Sequence, residues 1–390
     1  MRSCAAWLAA AVLALGPVAS QAFGLCDSAE QRVGFYKALG PWKDALEKKR
    51  FDEADRHFNF LIDEHAAGRL TDQELHRWFG TFSRSNSGRE PLHEDWIRAY
   101  PKSAAARLAL VYYYVEQGWN ARGTEFASKT SDAQMIAMGT FFRSAFQALP
   151  AAEALMKRPS LPAALRIGML GTTGDPGDRM KDAYRAALKA YPESLQVRVE
   201  WMMHSAPKWG GSIRQLEDVL VDARSLPAPD RRYLEYLVLQ QIGSEHQRME
   251  DFKRAAAAYG KAIPLCPGFD NALTSLIHMH KDQKDFGALV PAVDLYIDRY
   301  PRSGWAYTMR AWSYVERKDW PPAYKDYEKA ASLGYAEGYE GLAWMTEWGH
   351  ATKSDYRKAI DLYETAAANG SKTAGAKADK IRKGAGIQMR

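Results

Sequence analysis

The chain has little cysteine and, after its first residues, no long apolar run. It contains 3 Cys among 390 residues and no Cys-x-x-Cys pair, which argues against a thiol redox centre. Beyond residue 22 no stretch approaches the roughly 18 apolar residues that a membrane helix requires, so we expect no stable membrane insertion. The chain also lacks alternating runs of β-branched residues at strand length. An all-α fold is therefore favoured.

Sequence motifs of the common hydrolases are missing too. The 9 His are scattered, and no His-Glu-x-x-His run is present to hold a catalytic zinc. No Gly-x-Ser-x-Gly nucleophile elbow is present. The glycine-rich segment 171–177 contains Asp175 and is not followed by Lys and Ser or Thr, so a helix–helix turn is favoured over a phosphate loop. We expect no metal, no cofactor and no enzyme activity.

An excess of charge of one sign is also lacking. The 53 Lys and Arg are interleaved with 47 Asp and Glu, which gives a formal net charge of +6. This balance forms no broad basic surface, and we expect no nucleic-acid binding. Only the tail from Lys372 to Arg390 is plainly basic, and a solvated chain terminus explains it.

The segment 1–22 has the features of a targeting sequence. A short positive start, Met1-Arg2, precedes an uncharged apolar run from Ala5 to Leu15 that is too short to span a bilayer. Small residues then stand at positions −3 and −1 before a cleavage point after Ala22. This pattern is typical of a secretory signal peptide, so we expect a protein that is exported to the periplasm or secreted.

Two cysteines remain once Cys4 leaves with the signal peptide. In an oxidising compartment Cys26 and Cys266 could form a disulfide that ties the mature N-terminus to the C-terminal half. The other interpretation is two free thiols, buried or partly exposed. Spacing along the chain does not show proximity in space, so the sequence leaves both interpretations open.

The C-terminal half contains an internal repeat. Its clearest columns pair Asp with an aromatic residue at a constant step, as Asp251-Phe252, Asp285-Phe286 and Asp319-Trp320. Further columns keep the same step, and Pro267 recurs as Pro301. A fixed period of this length indicates helix–turn–helix units that must stack on their neighbours to bury their apolar faces.

This repeat resembles the tetratricopeptide unit. A fourth unit follows at the slightly longer step from Asp319 to Asp355. Its pattern Asp-Tyr-x-x-Ala-x-x-x-Tyr-x-x-Ala-Ala-x-x-Gly, from Asp355 to Gly370, resembles a Sel1-like repeat. The resemblance covers about residues 236–376. It implies an α-solenoid in this part of the chain, with first and second helices alternating.

The resemblance also implies which residues meet a partner, because the first helices of tetratricopeptide arrays line a concave groove. The positions that face this groove are Gln240, Ser244, Gln247, Asn271, Thr274, His278, Lys281, Trp305, Thr308 and Trp312. A largely polar surface with two Trp at one end suits an extended peptide or a partner helix. The alternative is that the polar residues are solvated and that both Trp pack on the following unit.

The N-terminal half has a different resemblance. The segments Gly118-Trp-Asn-Ala-Arg-Gly123 and Pro207-Lys-Trp-Gly-Gly-Ser212 occur in this order in a bacterial family known as domain of unknown function 4034. About residues 50–225 resemble that domain, which implies a helical domain and carries no established activity. The second segment predicts a turn in which the glycines permit positive φ and Ser212 can cap the next helix.

We therefore predict an exported all-α protein with a signal peptide at 1–22, a helical domain at 23–226 and a repeat solenoid at 231–390. The predicted function is that of a scaffold that binds a partner protein or peptide. One alternative is a regulator or immunity-type inhibitor of an envelope enzyme or toxin. Another is a cell-wall-active hydrolase built from distant carboxylates in the N-terminal domain.

Overall fold

The computed structural model describes residue 26 and residues 37–42, 45–83, 88–123, 129–173 and 178–385. The predicted signal peptide lies outside these residues. The described part of the chain is helical and contains no β-strand, which confirms the all-α prediction. No helix in that part is long and apolar enough to cross a membrane.

The helices with defined ends are numbered here in chain order. They are α1 (Phe51–Ala66), α2 (Asp72–Ser83), α3 (Glu90–Ala99), α4 (Ala104–Arg122), α5 (Asp132–Glu153), α6 (Ser160–Thr172), α7 (Arg179–Ala190), α8 (Leu195–His204), α9 (Ile213–Asp222), α10 (Ala228–Arg248), α11 (Phe252–Ala262), α12 (Asn271–Asp282), α13 (Phe286–Arg299), α14 (Gly304–Glu316), α15 (Trp320–Ser332), α16 (Ala336–Trp348), α17 (Tyr356–Ala368) and α18 (Ala374–Ala385). Two 3₁₀ turns, Pro207–Trp209 and Ala223–Ser225, flank α9.

The chain divides into two compact units by its spatial contacts. Unit 1 comprises residues 1–249 and 261–269, and unit 2 comprises residues 250–260 and 270–390. The domain limits drawn from the sequence stay a prediction.

Unit 1 is organised around a large apolar core. Phe58, Phe79, Trp96 and Phe142 are each almost fully buried in it. On α1 the apolar residues Phe51, Ala54, Phe58 and Leu61 recur at helical spacing, and all four are buried. Close contact between α4 and α5 requires Gly118, since a Cβ atom there would lie 2.4 Å from the ring of Phe142.

Unit 2 is a series of helical hairpins in which each helix from α12 to α18 packs on the next one along the chain. The repeat register is confirmed, because α12, α14 and α16 are first helices and α13, α15 and α17 are second helices. Small residues at recurring positions of the second helices, such as Ala323, Ala330 and Ala359, are fully buried. This continuous pairing of neighbours is the packing of a repeat solenoid.

The repeated Asp is explained by the turn inside each hairpin. The residue before it has a positive φ, and these residues are Glu250, Lys284 and Lys318, with φ of 59°, 53° and 59°. The Asp then begins the second helix. Asp285 accepts a hydrogen bond from the backbone N–H of Ala288, and its own N–H donates to the carbonyl of His280 at 2.9 Å. Asp251 caps the next helix in the same way by accepting from the backbone N–H of Arg254 at 3.1 Å, whereas the side chain of Asp319 makes no such cap hydrogen bond.

Candidate partner-binding face

Four predicted face residues of unit 2 lie together on α12 and α14. The ring of Trp305 is 5.6 Å from that of His278, and the ammonium of Lys281 lies 5.9 Å from the centroid of Trp312. We call His278, Lys281, Trp305 and Trp312 the aromatic face. His278 is exposed and the other three are half-buried, so the aromatic face is open to solvent.

Both Trp of the aromatic face are anchored by the preceding hairpin. Trp305 packs edge-on against Tyr296 at 5.0 Å, and Trp312 packs edge-on against Phe286 at 5.6 Å. Tyr296 lies on α13 and its hydroxyl donates to Asp270 at 3.4 Å. Burial, with the nearby Asp270 carboxylate, raises the pKa of Tyr296 to about 12. These contacts fix the orientation of the indoles, and their remaining surface is available to a partner.

Two of the predicted polar residues of unit 2 offer a partner little, because their hydroxyl groups are already hydrogen-bonded. The hydroxyl of Thr308 is buried and donates to the carbonyl of Trp305 at 2.8 Å. The hydroxyl of Thr274 lies 2.9 Å from the carbonyl of Asp270 in the preceding turn. Both hydroxyls are thus used by the local backbone. Asn271 is exposed at the start of α12.

The other three predicted positions belong to unit 1. Gln240, Ser244 and Gln247 all lie on α10, where Ser244 is exposed and the two Gln are half-buried. Their role in a shared groove with the aromatic face stays a prediction.

The fourth hairpin continues the columns of the aromatic face, and the sequence reasoning missed this. The step that leads from Asp319 to Asp355 also leads from Thr308 to Trp344 and from Trp312 to Trp348, both on α16. Trp348 is 65% exposed, far more than the other indoles of unit 2. The signal was present in the sequence, since the same step defined the fourth repeat.

An open pocket of about 500 Å³ lies beside Trp348. The residues that line it are Glu347, Trp348, Tyr356, Tyr363, Lys377, Lys380, Ile381 and Gly384. Tyr356 is 50% exposed at its edge, and the hydroxyl of Tyr363 donates to Glu347 at 3.2 Å. The floor is aromatic and the rim carries two Lys. We call this the end pocket.

In unit 1 the two segments that carry the family resemblance meet in space. The guanidinium of Arg122 lies 5.9 Å from the ring centroid of Trp119 and 5.7 Å from that of Trp209. One Nη of Arg122 also donates to the carbonyl of Gly123 at 3.3 Å. The segments are distant from each other along the chain, and Arg122 joins them by cation–π contacts.

The turn after Trp209 has the predicted cap at Ser212, and one of its two glycines adopts a positive φ. Gly210 has φ of +88°, and Ser212 accepts a hydrogen bond from the backbone N–H of Gln215 at 3.2 Å. Gly211 is needed for a different reason. A Cβ atom on it would lie 2.0 Å from the carbonyl oxygen of Ser205.

A buried polar cluster lies behind Trp209, which packs 6.0 Å from the ring of His204. His204 Nε2 is 3.0 Å from the hydroxyl of Thr172, and its Nδ1 is 3.9 Å from a carboxyl oxygen of Glu200. Burial raises the pKa of Glu200 to about 7, although a hydrogen bond from Gln196 opposes the shift. Within the residues described, no group of three or more His, Cys, Asp or Glu is arranged to hold a metal ion.

A disulfide joins Cys26 to Cys266 in the structure, with Cα atoms 4.9 Å apart. Both residues belong to unit 1. Cys266 is fully buried.

Comparison with known protein families agrees with the resemblance of the N-terminal half. A family model described as a domain of unknown function (DUF4034) matches residues 41–181. The match includes the first of the two motif segments and ends before the second. No curated protein matches the chain.

Three solved structures show the level of similarity to repeat proteins. A Sel1 repeat protein from Oxalobacter formigenes is 14% identical over 88% of this chain and 91% of that chain, with a TM-score of 0.36. A STAND signal-transduction ATPase with a tetratricopeptide repeat sensor, from Pyrococcus horikoshii, is 15% identical over 85% of this chain and 54% of that chain, with a TM-score of 0.40. Yeast Tom70 is 12% identical over 91% of this chain and 89% of that chain, with a TM-score of 0.33.

Proposed function

We propose that this protein is a scaffold that binds a partner protein through unit 2, with the end pocket as its principal anchor point. The observation that carries this proposal is the exposure of Trp348 and Tyr356, which stand 65% and 50% accessible beside an open pocket. Large aromatic side chains in such positions are the residues that most often dominate the energy of protein interfaces. Their exposure without a partner leaves apolar area in water.

The charges around the end pocket suggest the character of the partner. Lys377 forms an ion pair with Glu340 at 3.5 Å, while Lys380 is exposed and has no ion pair among the described residues. Lys383 is also exposed on the same helix. A partner segment with an apolar side chain next to a carboxylate would fill the aromatic floor and approach these cations.

The aromatic face extends the same surface chemistry along the first helices. Trp305 and Trp312 are held in fixed orientations by Tyr296 and Phe286, so little side-chain entropy is lost when a partner binds. An extended segment would meet indole and imidazole side chains on α12 and α14, and a further indole on α16. This is the arrangement of repeat proteins that bind peptides through their first helices.

We also propose that the protein acts outside the cytoplasm, in the periplasm or after secretion. The composition of residues 1–22 supports this location, and so does a disulfide between Cys26 and Cys266. Sequencing the N-terminus of protein recovered from the cell envelope or the medium should give Phe23 as the first residue. Recovery of an uncleaved chain in the cytoplasm would reject the proposal.

The binding proposal is tested with exposed aromatic residues, because their removal leaves the core intact. The mature protein, the Trp348→Ala/Tyr356→Ala variant and a Lys325→Ala control are used to capture proteins from the matching cell fraction. We expect a partner that is held by the wild type and the control and is reduced at least ten-fold by the aromatic variant.

Thermal unfolding followed by circular dichroism checks that all three proteins are folded alike. Partner sets that are the same for the wild type and the folded aromatic variant would contradict anchoring at the end pocket. A second variant, His278→Ala, then reports on the aromatic face separately, since His278 is exposed and its loss costs little stability.

A further inference from the structure

A second open cleft lies in unit 1, between α5, α6 and α7. Its volume is about 540 Å³. The residues that line it are Gly139, Phe142, Arg143, Phe146, Arg166, Leu170, Thr173, Arg179 and Ala183. The volume is within the usual range of small-molecule sites, roughly 300–1,000 Å³. None of these lining residues belongs to the two family-motif segments or to the end pocket.

The charged residues described in the lining are all arginines. Three of its described residues are arginines and none is acidic. Arg166 is partly neutralised, because it donates to Glu153 at 2.6 Å. Arg143 is exposed and forms no ion pair within the described part of the chain. The three arginines come from three different helices, α5, α6 and α7.

The floor of the cleft is apolar. Phe142 and Leu170 are buried, and Phe146 is half-buried beside them. Gly139 on α5 borders open space in the cleft, since a Cβ atom there would meet no atom within 4 Å. A residue with a longer apolar side chain at this position would occupy the cleft.

We propose that this cleft binds a small amphipathic anion, specifically a carboxylate with an alkyl or aryl body. The apolar body lies against Phe142, Phe146 and Leu170. The carboxylate is held by the Arg143 and Arg179 guanidiniums, whose planar N–H groups match its two oxygens. Binding would remove the apolar body of the ligand from water.

Isothermal titration calorimetry with three small probes tests the proposal directly. Octanoate supplies both parts of the ligand, acetate supplies the carboxylate alone, and 1-octanol supplies the apolar body alone. We expect octanoate to bind at least ten-fold more tightly than either of the others, and more weakly as NaCl is raised. If acetate or 1-octanol binds as tightly as octanoate, the cleft does not recognise the carboxylate and the apolar body together, and the proposal is wrong.

Two kinds of variant locate the binding site. Arg143→Gln/Arg179→Gln should weaken octanoate binding at least ten-fold. Arg185→Gln removes an exposed charge of α7 outside the cleft and should leave the affinity unchanged. Gly139→Leu should block binding by filling the cleft, without lowering the melting temperature, because Leu favours the helix more than Gly does. Undiminished octanoate binding by the double Arg variant or by folded Gly139→Leu would reject this cleft as the site.

Discussion

Arg310 on α14 donates two hydrogen bonds to Asp326 on α15, one from Nε and one from Nη2, each 2.8 Å long. Its third nitrogen, Nη1, donates to Asp294 on the preceding second helix at 2.6 Å. One guanidinium thus ties three successive helices of unit 2. Because the Asp326 carboxylate is nearly buried, the hydrogen bonds from Arg310 replace most of the water that it loses on folding.

Loss of the hydrogen bonds from Arg310 should destabilise unit 2. We expect Arg310→Met to lower the free energy of unfolding by about 2–3 kcal/mol, since it leaves a poorly hydrated carboxylate without its charged donor. Urea unfolding followed by circular dichroism measures the loss. Arg302→Met, at an exposed position, is the control and should change the free energy by less than about 0.5 kcal/mol. If Arg310→Met lowers the free energy of unfolding no more than the control does, the hydrogen bonds from Arg310 do not stabilise unit 2.

The hairpin turns carry a non-glycine residue where glycine fits better. Lys284 has φ of +53° at the end of α12. We expect Lys284→Gly to raise the free energy of unfolding by about 0.5–1 kcal/mol, because glycine adopts this conformation without steric cost. Asp282→Gly, inside the last turn of α12, is the matched control and should lower it by about 0.5–1 kcal/mol. Chemical denaturation of both variants gives the sign of each change in the free energy of unfolding. A lower free energy of unfolding for Lys284→Gly than for the wild type would contradict the prediction.

Glu200 should make the stability of unit 1 depend on pH. Burial raises its pKa from an ordinary value of 4.5 to about 7. The folded protein therefore holds this proton more tightly than the unfolded chain, and the stabilisation present below pH 4.5 is lost as pH rises to 7. Glu200→Gln has no carboxylate to titrate, so by pH 8 it should be more stable than the wild type by about 2–3 kcal/mol.

The difference between variant and wild type isolates this effect from buried histidines. Burial lowers the pKa of His57 to about 4 and that of His93 to about 3. These two residues therefore make the stability rise with pH, and they do so equally in the wild type and in the variant. Unfolding curves at pH 5, 6, 7 and 8 give the difference, with exposed Glu217→Gln as the control. A difference that stays constant across this range would show that Glu200 is not titrating.

The bond between Cys26 and Cys266 joins positions with a sequence separation of 240. Protein from an oxidising compartment should show no alkylated cysteine by mass spectrometry until a reductant is added. We expect Cys26→Ser/Cys266→Ala to lower the free energy of unfolding by about 2–5 kcal/mol. Modification of Cys26 before reduction would show that the bond does not form. A full-length double variant as stable as the oxidised wild type would show that the bond does not stabilise the fold.

Part of the candidate site could be predicted from the sequence. His278, Lys281, Trp305 and Trp312 were placed on one face because the repeat register fixes which side of each first helix a position occupies. Trp348 belongs to the same columns and was missed, because the register was not continued into the fourth hairpin. Its 65% exposure depends on how α16, α17 and α18 pack, and no local pattern encodes that.

The sequence by itself determined the local features of this protein. The Asp–aromatic columns mark where second helices begin, since a short carboxylate such as that of Asp285 can cap a helix. Apolar residues at helical spacing indicate which helix faces are buried. Tertiary structure decided the contacts between residues distant in the chain. The meeting of Arg122 with Trp209 and the gathering of three arginines in one cleft arise from helix packing, which a helix's own periodicity does not specify.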